Sequence, residues 1–86
     1  MKLTIIRKDI NISDTSLANC AIANALRRTF STSDAWVSND ACGIGDMVFA
    51  LEGHALEVAN KFAAGREITP TVIDLRQVYG PKVLDN

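Results

Sequence analysis

The chain reads as an α+β protein, a single small domain of the split βαβ (ferredoxin-like) kind. The expected order is β-α-β-β-α-β, with an antiparallel sheet and two helices on one face. Three observations point there. Short runs rich in β-branched residues stand near both ends and in the middle; two longer stretches carry apolar residues at helical spacing; clusters of turn residues separate them. With 86 residues, 48% hydrophobic and 22% charged, the composition is that of one globular unit.

The first element is "LTIIR", residues 3–7, short and apolar and closed by a charged turn, hence a strand. "DINISDTS" follows as a loop of residues that hydrogen-bond their own backbone, and Asp14 or Ser16 is placed to cap a helix. That helix is expected from about residue 17 to 30. A 100° wheel puts Ala18, Ile22, Ala25, Leu26 and Phe30 on one side and Cys20, Asn24, Arg27 and Arg28 on the other, an outward polar stripe.

"AWVSN" is a second strand and "ACGIG" a third, where Gly43 and Gly45 suggest a bend or a close approach. "MVFAL", residues 47–51, fits either a further strand or a lead into the next helix. "GHALEVANKFAAG" is helical, with Ala55, Val58, Ala59, Phe62 and Ala63 in one stripe, a Glu57–Lys61 pair outside it and Gly65 at the left-handed stop. "ITPTVIDL" is the last strand, which Pro70 confines to a sheet edge or a strand start. Residues 76–86 form a tail whose Val78, Tyr79, Val83 and Leu84 suit packing on a neighbouring subunit. The whole of residues 1–86 is one domain.

Nine basic and ten acidic residues are scattered, giving a net charge of -1, so no basic face for nucleic acid is expected. The aromatic-poor third strand argues against an RNA-binding sheet of the stacking type. No run approaches the ~18 apolar residues of a membrane helix, and no export signal is visible. Cys20 and Cys42 are therefore expected as unpaired thiols in a cytoplasm.

Cys20, Cys42 and His54 lack metal-ligand spacing and lack a group to orient the histidine, so packing is the better reading of all three. Gly43-x-Gly45 lacks the third glycine of a phosphate-binding loop. No catalytic residue, metal ligand or cofactor is expected. The best remaining signal is Asn24, Arg27 and Arg28, an amide and two guanidiniums able to grip carboxylate or phosphate. Trp36 could stack a flat ring against them, and Arg66 could complete the grip. On that reading, truncating either Arg27 or Arg28 removes binding and leaves stability nearly unchanged. A thin core, a small-residue seam and an apolar tail also suggest a homo-oligomer.

Through "CAIANALRR" and "KFAAGREITP" the chain resembles a family of small uncharacterised proteins of tailed bacteriophages. That family shows Cys-Pro-Ile-Ala before Ala-Leu-Arg-Arg and Phe-Asp-x-Gly before a proline. Ala21 and Ala63 stand here in place of the proline and the aspartate. The resemblance implies a phage protein acting in the bacterial host cytoplasm. The function expected from it is a non-enzymatic module that sequesters an anionic small molecule, such as a nucleotide immune signal. The alternative is a module that binds and modulates a host or phage protein.

Overall fold

Strand formation begins at once. In β1 (Lys2–Ile5) Leu3 and Ile5 are fully buried and Lys2 and Thr4 face out, the alternation of a half-buried strand. The computed structural model describes residues 1–14, 16 and 19–81. Where the sequence suggested a charged turn and a loop, a short helix forms, α1 (Arg7–Asn11). Its cause is local: the Ile6 backbone N–H donates to Asp9 Oδ2 at 3.0 Å, satisfying one of the donors that a helix start leaves open.

The next helix, α2 (Ala21–Phe30), has Cys20 as its N-cap, not Asp14 or Ser16. Cys20 Sγ accepts from the Ala23 backbone N–H at 3.5 Å. Asp14 instead orders the preceding loop, accepting from the Ser16 backbone N–H at 2.8 Å and from its hydroxyl at 2.6 Å, which lowers the Asp14 pKa. Six successive residues of α2, from Ala21 to Leu26, are buried. The outward stripe expected there therefore does not exist at Cys20 or Asn24. Alanine at three of those six positions lets neighbouring backbones close in from several sides, which a two-faced wheel cannot represent. Leu17 and Ala18, expected in the same helix, lie outside the described residues.

The chain continues through β2 (Ala35–Val37), β3 (Ala41–Ile44), β4 (Met47–Ala50), α3 (Gly53–Ala63), β5 (Thr71–Asp74) and β6 (Arg76–Tyr79). "MVFAL" is thus a strand, closing a hairpin on β3 across Gly45 and Asp46, where Gly45 takes the positive φ (54°) that the turn demands. Helix α3 buries Ala55 and Val58, carries the Glu57–Lys61 pair at 3.4 Å, and is followed by Gly65 at φ 71°.

The strands make two antiparallel sheets, a ribbon β1-β5 and a four-stranded sheet in the order β2-β3-β4-β6. The single split βαβ sheet is not what forms. The reason lies at Leu75, which is buried between β5 and β6. Its N–H donates to Met1 O at 2.7 Å and its carbonyl accepts from the Met1 nitrogen at 2.8 Å, so the ribbon ladder extends to Leu75 and the chain then turns into the other sheet. Residues 76–79, read from sequence as the start of a tail, are an edge strand of the chain's own sheet; residues 82–86 lie outside the described residues.

Helix α2 packs against β1, β2 and β3, so it touches both sheets, while α1 rests on α2 and α3 lies on β5. The core joins Leu3, Ile5, Ile22, Leu26, Cys42, Phe49, Ile73 and Leu75. Leu26 is fully buried on the central helix. Leu26→Ala should cost about 2–5 kcal/mol in denaturant unfolding, because the surrounding elements relax only partly around the lost methyls.

Candidate functional site

The residues expected to grip an anion are mostly occupied within the fold. Asp9 is buried, with a side chain 2% exposed, and its carboxylate receives Arg28 through two bonds, Nε to Oδ1 at 3.2 Å and Nη2 to Oδ2 at 3.1 Å. Arg28 Nη2 also donates to the Thr4 carbonyl at 2.6 Å. Asn24, 5% exposed, donates from Nδ2 to the Asp9 carbonyl at 3.1 Å and accepts on Oδ1 from Arg27 Nη1 at 2.9 Å. These groups form one chain of contacts that fastens α1 and the end of β1 onto α2. A planar guanidinium on a carboxylate is the geometry that makes a desolvated pair tolerable.

Trp36 is not brought to them. In β2, Val37 points toward α2, where it lines a small apolar cavity with Cys20, Ala21 and Ile22. The preceding Trp36 therefore lies on the opposite face of the sheet. There its indole rests against Gly43, whose missing side chain it replaces: a Cβ on Gly43 would lie 2.7 Å from Trp36 Cζ2 and collide with the Met47 carbonyl. Trp36 Nε1 donates to the Gly45 carbonyl at 3.4 Å.

Arg66 is exposed beyond the end of α3. It borders two open grooves. One, of about 690 Å³, is shared with Asn60 and Lys61, and the other, of about 370 Å³, with Arg7 and Glu67.

Cys20 and Cys42 are both free and buried. Burial pushes the Cys20 thiol up, and burial together with the neighbouring Cys20 pushes Cys42 up to about 12. A thiol held in its protonated form is a poor nucleophile and a poor metal ligand. His54 sits at the exposed start of α3 with Nε2 3.0 Å from Thr71 Oγ1. It borders a groove of about 560 Å³ that also includes Glu52, Asp74 and Arg76, and there Arg76 Nη2 meets Glu52 Oε1 at 2.6 Å. Among the described residues, no three His, Cys, Asp or Glu side chains group to hold a metal, and no helix is long and apolar enough to cross a membrane.

The feature missed from the sequence is the open face of the four-stranded sheet. Register places Trp36 opposite Gly43, Gly43 opposite Val48, and Val48 opposite Tyr79, so the four share one row on the face turned away from α2. Ala41 and Ala50 lie beside that row. Trp36 and Val48 are half-buried, and Tyr79 is 68% exposed. Alternation along "MVFA" was the available signal, but it becomes readable only once β6 is known to complete the sheet.

Two expectations can be measured. Arg28→Ala should cost about 2–3 kcal/mol of stability, because it strands a buried carboxylate; the figure stays below that of a fully enclosed pair since Arg28 retains water contact. Arg27→Ala should cost less, about 1 kcal/mol, because it takes a donor from the buried but neutral Asn24 Oδ1 while the Asn24 Nδ2 keeps its bond to Asp9. Chemical denaturation of both variants checks this. The second expectation concerns pH. Folding holds the Cys42 proton more tightly than the unfolded chain does, so this contribution is intact below pH 9.0 and is lost as pH rises toward about 12. Wild type should lose stability more steeply than Cys42→Ala across that window, read by denaturation at successive pH values.

Compared with family models, curated proteins and solved structures, the chain matches none of them.

Proposed function

We propose that the chain is a non-enzymatic binding module that docks a protein partner on the open face of its four-stranded sheet. The observation that carries this reading is the row Trp36, Gly43, Val48 and Tyr79. It is an apolar and aromatic strip on a face that no helix among the described residues covers. Aromatic side chains in such a position supply contact area at little conformational cost. The resemblance to phage proteins supports a setting in an infected bacterial cytoplasm, where the module would bind a host or phage protein. The inward commitment of Asn24 and Arg28 supports a protein partner over the sequestered anion first expected from their composition.

Sequestration of an anionic small molecule keeps one supporting observation, the exposed Arg66 beside Lys61 and Asn60 in a groove of about 690 Å³, within the size range of ligand sites.

One experiment separates the two. Tagged wild-type chain and Val48→Lys are crosslinked in producing cells, and the captured proteins are identified by mass spectrometry. A lysine on the sheet face should release the partner without lowering the melting temperature. Identical capture by both proteins would end the sheet-face reading. A nucleotide that raises the melting temperature of wild type but not of Arg66→Ala would favour the small ligand.

A further inference from the structure

We propose that the sheet face receives a basic, extended segment of its partner, with a lysine or arginine seated on Trp36 between Asp34 and Asp46. The inference rests on the docking role of this face and adds the chemistry of the occupant. The charge on the face is one-sided. Gly45 N–H donates to the Asp34 carbonyl at 3.1 Å, and Asp34 Oδ2 lies 3.1 Å from where a Cβ of Gly45 would stand. Asp34 therefore flanks the Gly45–Asp46 turn, and the same Gly45 carbonyl accepts from the Trp36 indole. Both carboxylates are exposed, and neither forms an ion pair among the described residues.

At the far end of the sheet Arg76 is bound to Glu52 at 2.6 and 3.2 Å, and the exposed Asp40 in the β2–β3 turn adds a further carboxylate, so no unbalanced cation opposes the acidic end. An indole bonded to a turn that carries Asp46 and lies beside Asp34, both without an ion-pair partner, attracts a cation through the ring quadrupole and through Coulomb attraction, and repels phosphate. Size sets the form of the occupant. Four strands of about four residues, ~4.8 Å apart, project roughly 200 Å². That is far below the ~800 Å² per partner of a stable dimer, whereas it accommodates four or five extended residues with the row Val48–Tyr79 under their apolar side chains.

The single tryptophan makes the test direct, because fluorescence excited beyond the tyrosine absorption band reports Trp36 alone. The full chain is titrated with a synthetic peptide alternating arginine and valine, and with the same peptide bearing glutamate for arginine. The arginine peptide should shift the emission, the glutamate peptide should not, and added salt should weaken binding. The double variant Asp34→Asn, Asp46→Asn should bind the arginine peptide at least about tenfold more weakly at an unchanged melting temperature. Equal binding by wild type and the double variant, or preference for the glutamate peptide, would overturn the proposal. So would carbodiimide coupling of Lys82 to Asp34 or Asp46 within one chain, which would make the chain's own end the occupant. So would a light-scattering mass that falls to one chain in Val48→Lys, which would put a second copy there. If neither peptide binds while Val48→Lys still releases captured proteins, the docking face stands and the basic occupant does not.

Discussion

The fold depends on a carboxylate shut away from the surface. Asp9 sits within five residues of helix, too short to persist by itself, and its side chain is almost wholly enclosed. Its charge is tolerable because each oxygen is served: Oδ1 by Arg28 Nε, Oδ2 by Arg28 Nη2 and the Ile6 backbone N–H. The Asp9 carbonyl in turn accepts from the buried Asn24 amide. One residue thereby ties the end of β1, the start of α1 and the middle of α2. Since α2 is the element that meets both sheets, this clamp fixes how the sheets stand against the helix. Packing supplies most of the stability, as in any domain of this size. The clamp supplies the geometry, because an apolar contact could slide where a two-bond guanidinium pair cannot.

The same clamp accounts for what the sequence could and could not disclose. Elements with a strong single period were legible: "LTII" as a strand, "GHALEVANKFA" as a helix, Gly65 as its stop. The helix around "IANALRR" was legible in kind but not in orientation. Three alanines among its first six residues read as one apolar side, yet they allow burial all round. Asn24 and Arg28 then look like an exposed recognition stripe, because nothing in their spacing names Asp9, fifteen and nineteen residues earlier, as their partner. That pairing depends on α1, and "RKDIN" carries no apolar period that would announce a helix. Cys20 as a cap was illegible for a related reason: Asp14 and Ser16 are better capping residues in isolation, but they bond to each other in a turn of their own.

Sheet order was the other hidden quantity. Residues 71–79 make one nearly continuous extended stretch, and its hydrophobic pattern does not say which neighbour each half will take. The buried Leu75, bonded both ways to Met1, ends the ribbon and sends Arg76–Tyr79 to the edge of β4. There the ladder carries an irregularity between Val48 and Phe49, and Val78 is left opposite no residue of β4. Gln77 Nε2 donates to the carbonyls of Tyr79 at 3.2 Å and Pro81 at 2.6 Å, which blunts this edge against pairing with another chain. The strand that enlarges the sheet thus also guards its edge.

What makes that face available is the placement of the helices. A four-stranded antiparallel sheet needs only one side covered, and here α2 covers the side bearing Val37, Cys42, Ile44 and Phe49. Gly43 alone cannot pack its outer side, so Trp36 folds across it, an arrangement that stabilises the strand and at the same time fixes an indole in the open. The structural role of Trp36 and the recognition role proposed for it do not compete, because the half-buried ring that packs on Gly43 keeps part of its surface exposed. Arg28 shows the contrary case: a guanidinium that serves a buried carboxylate and a backbone carbonyl has few donors left for a ligand. Residue type alone would rank the arginine pair above a lone tryptophan as a binding site. The proposed function reverses that order, since a group can recognise a partner only with the atoms that the fold has left unused.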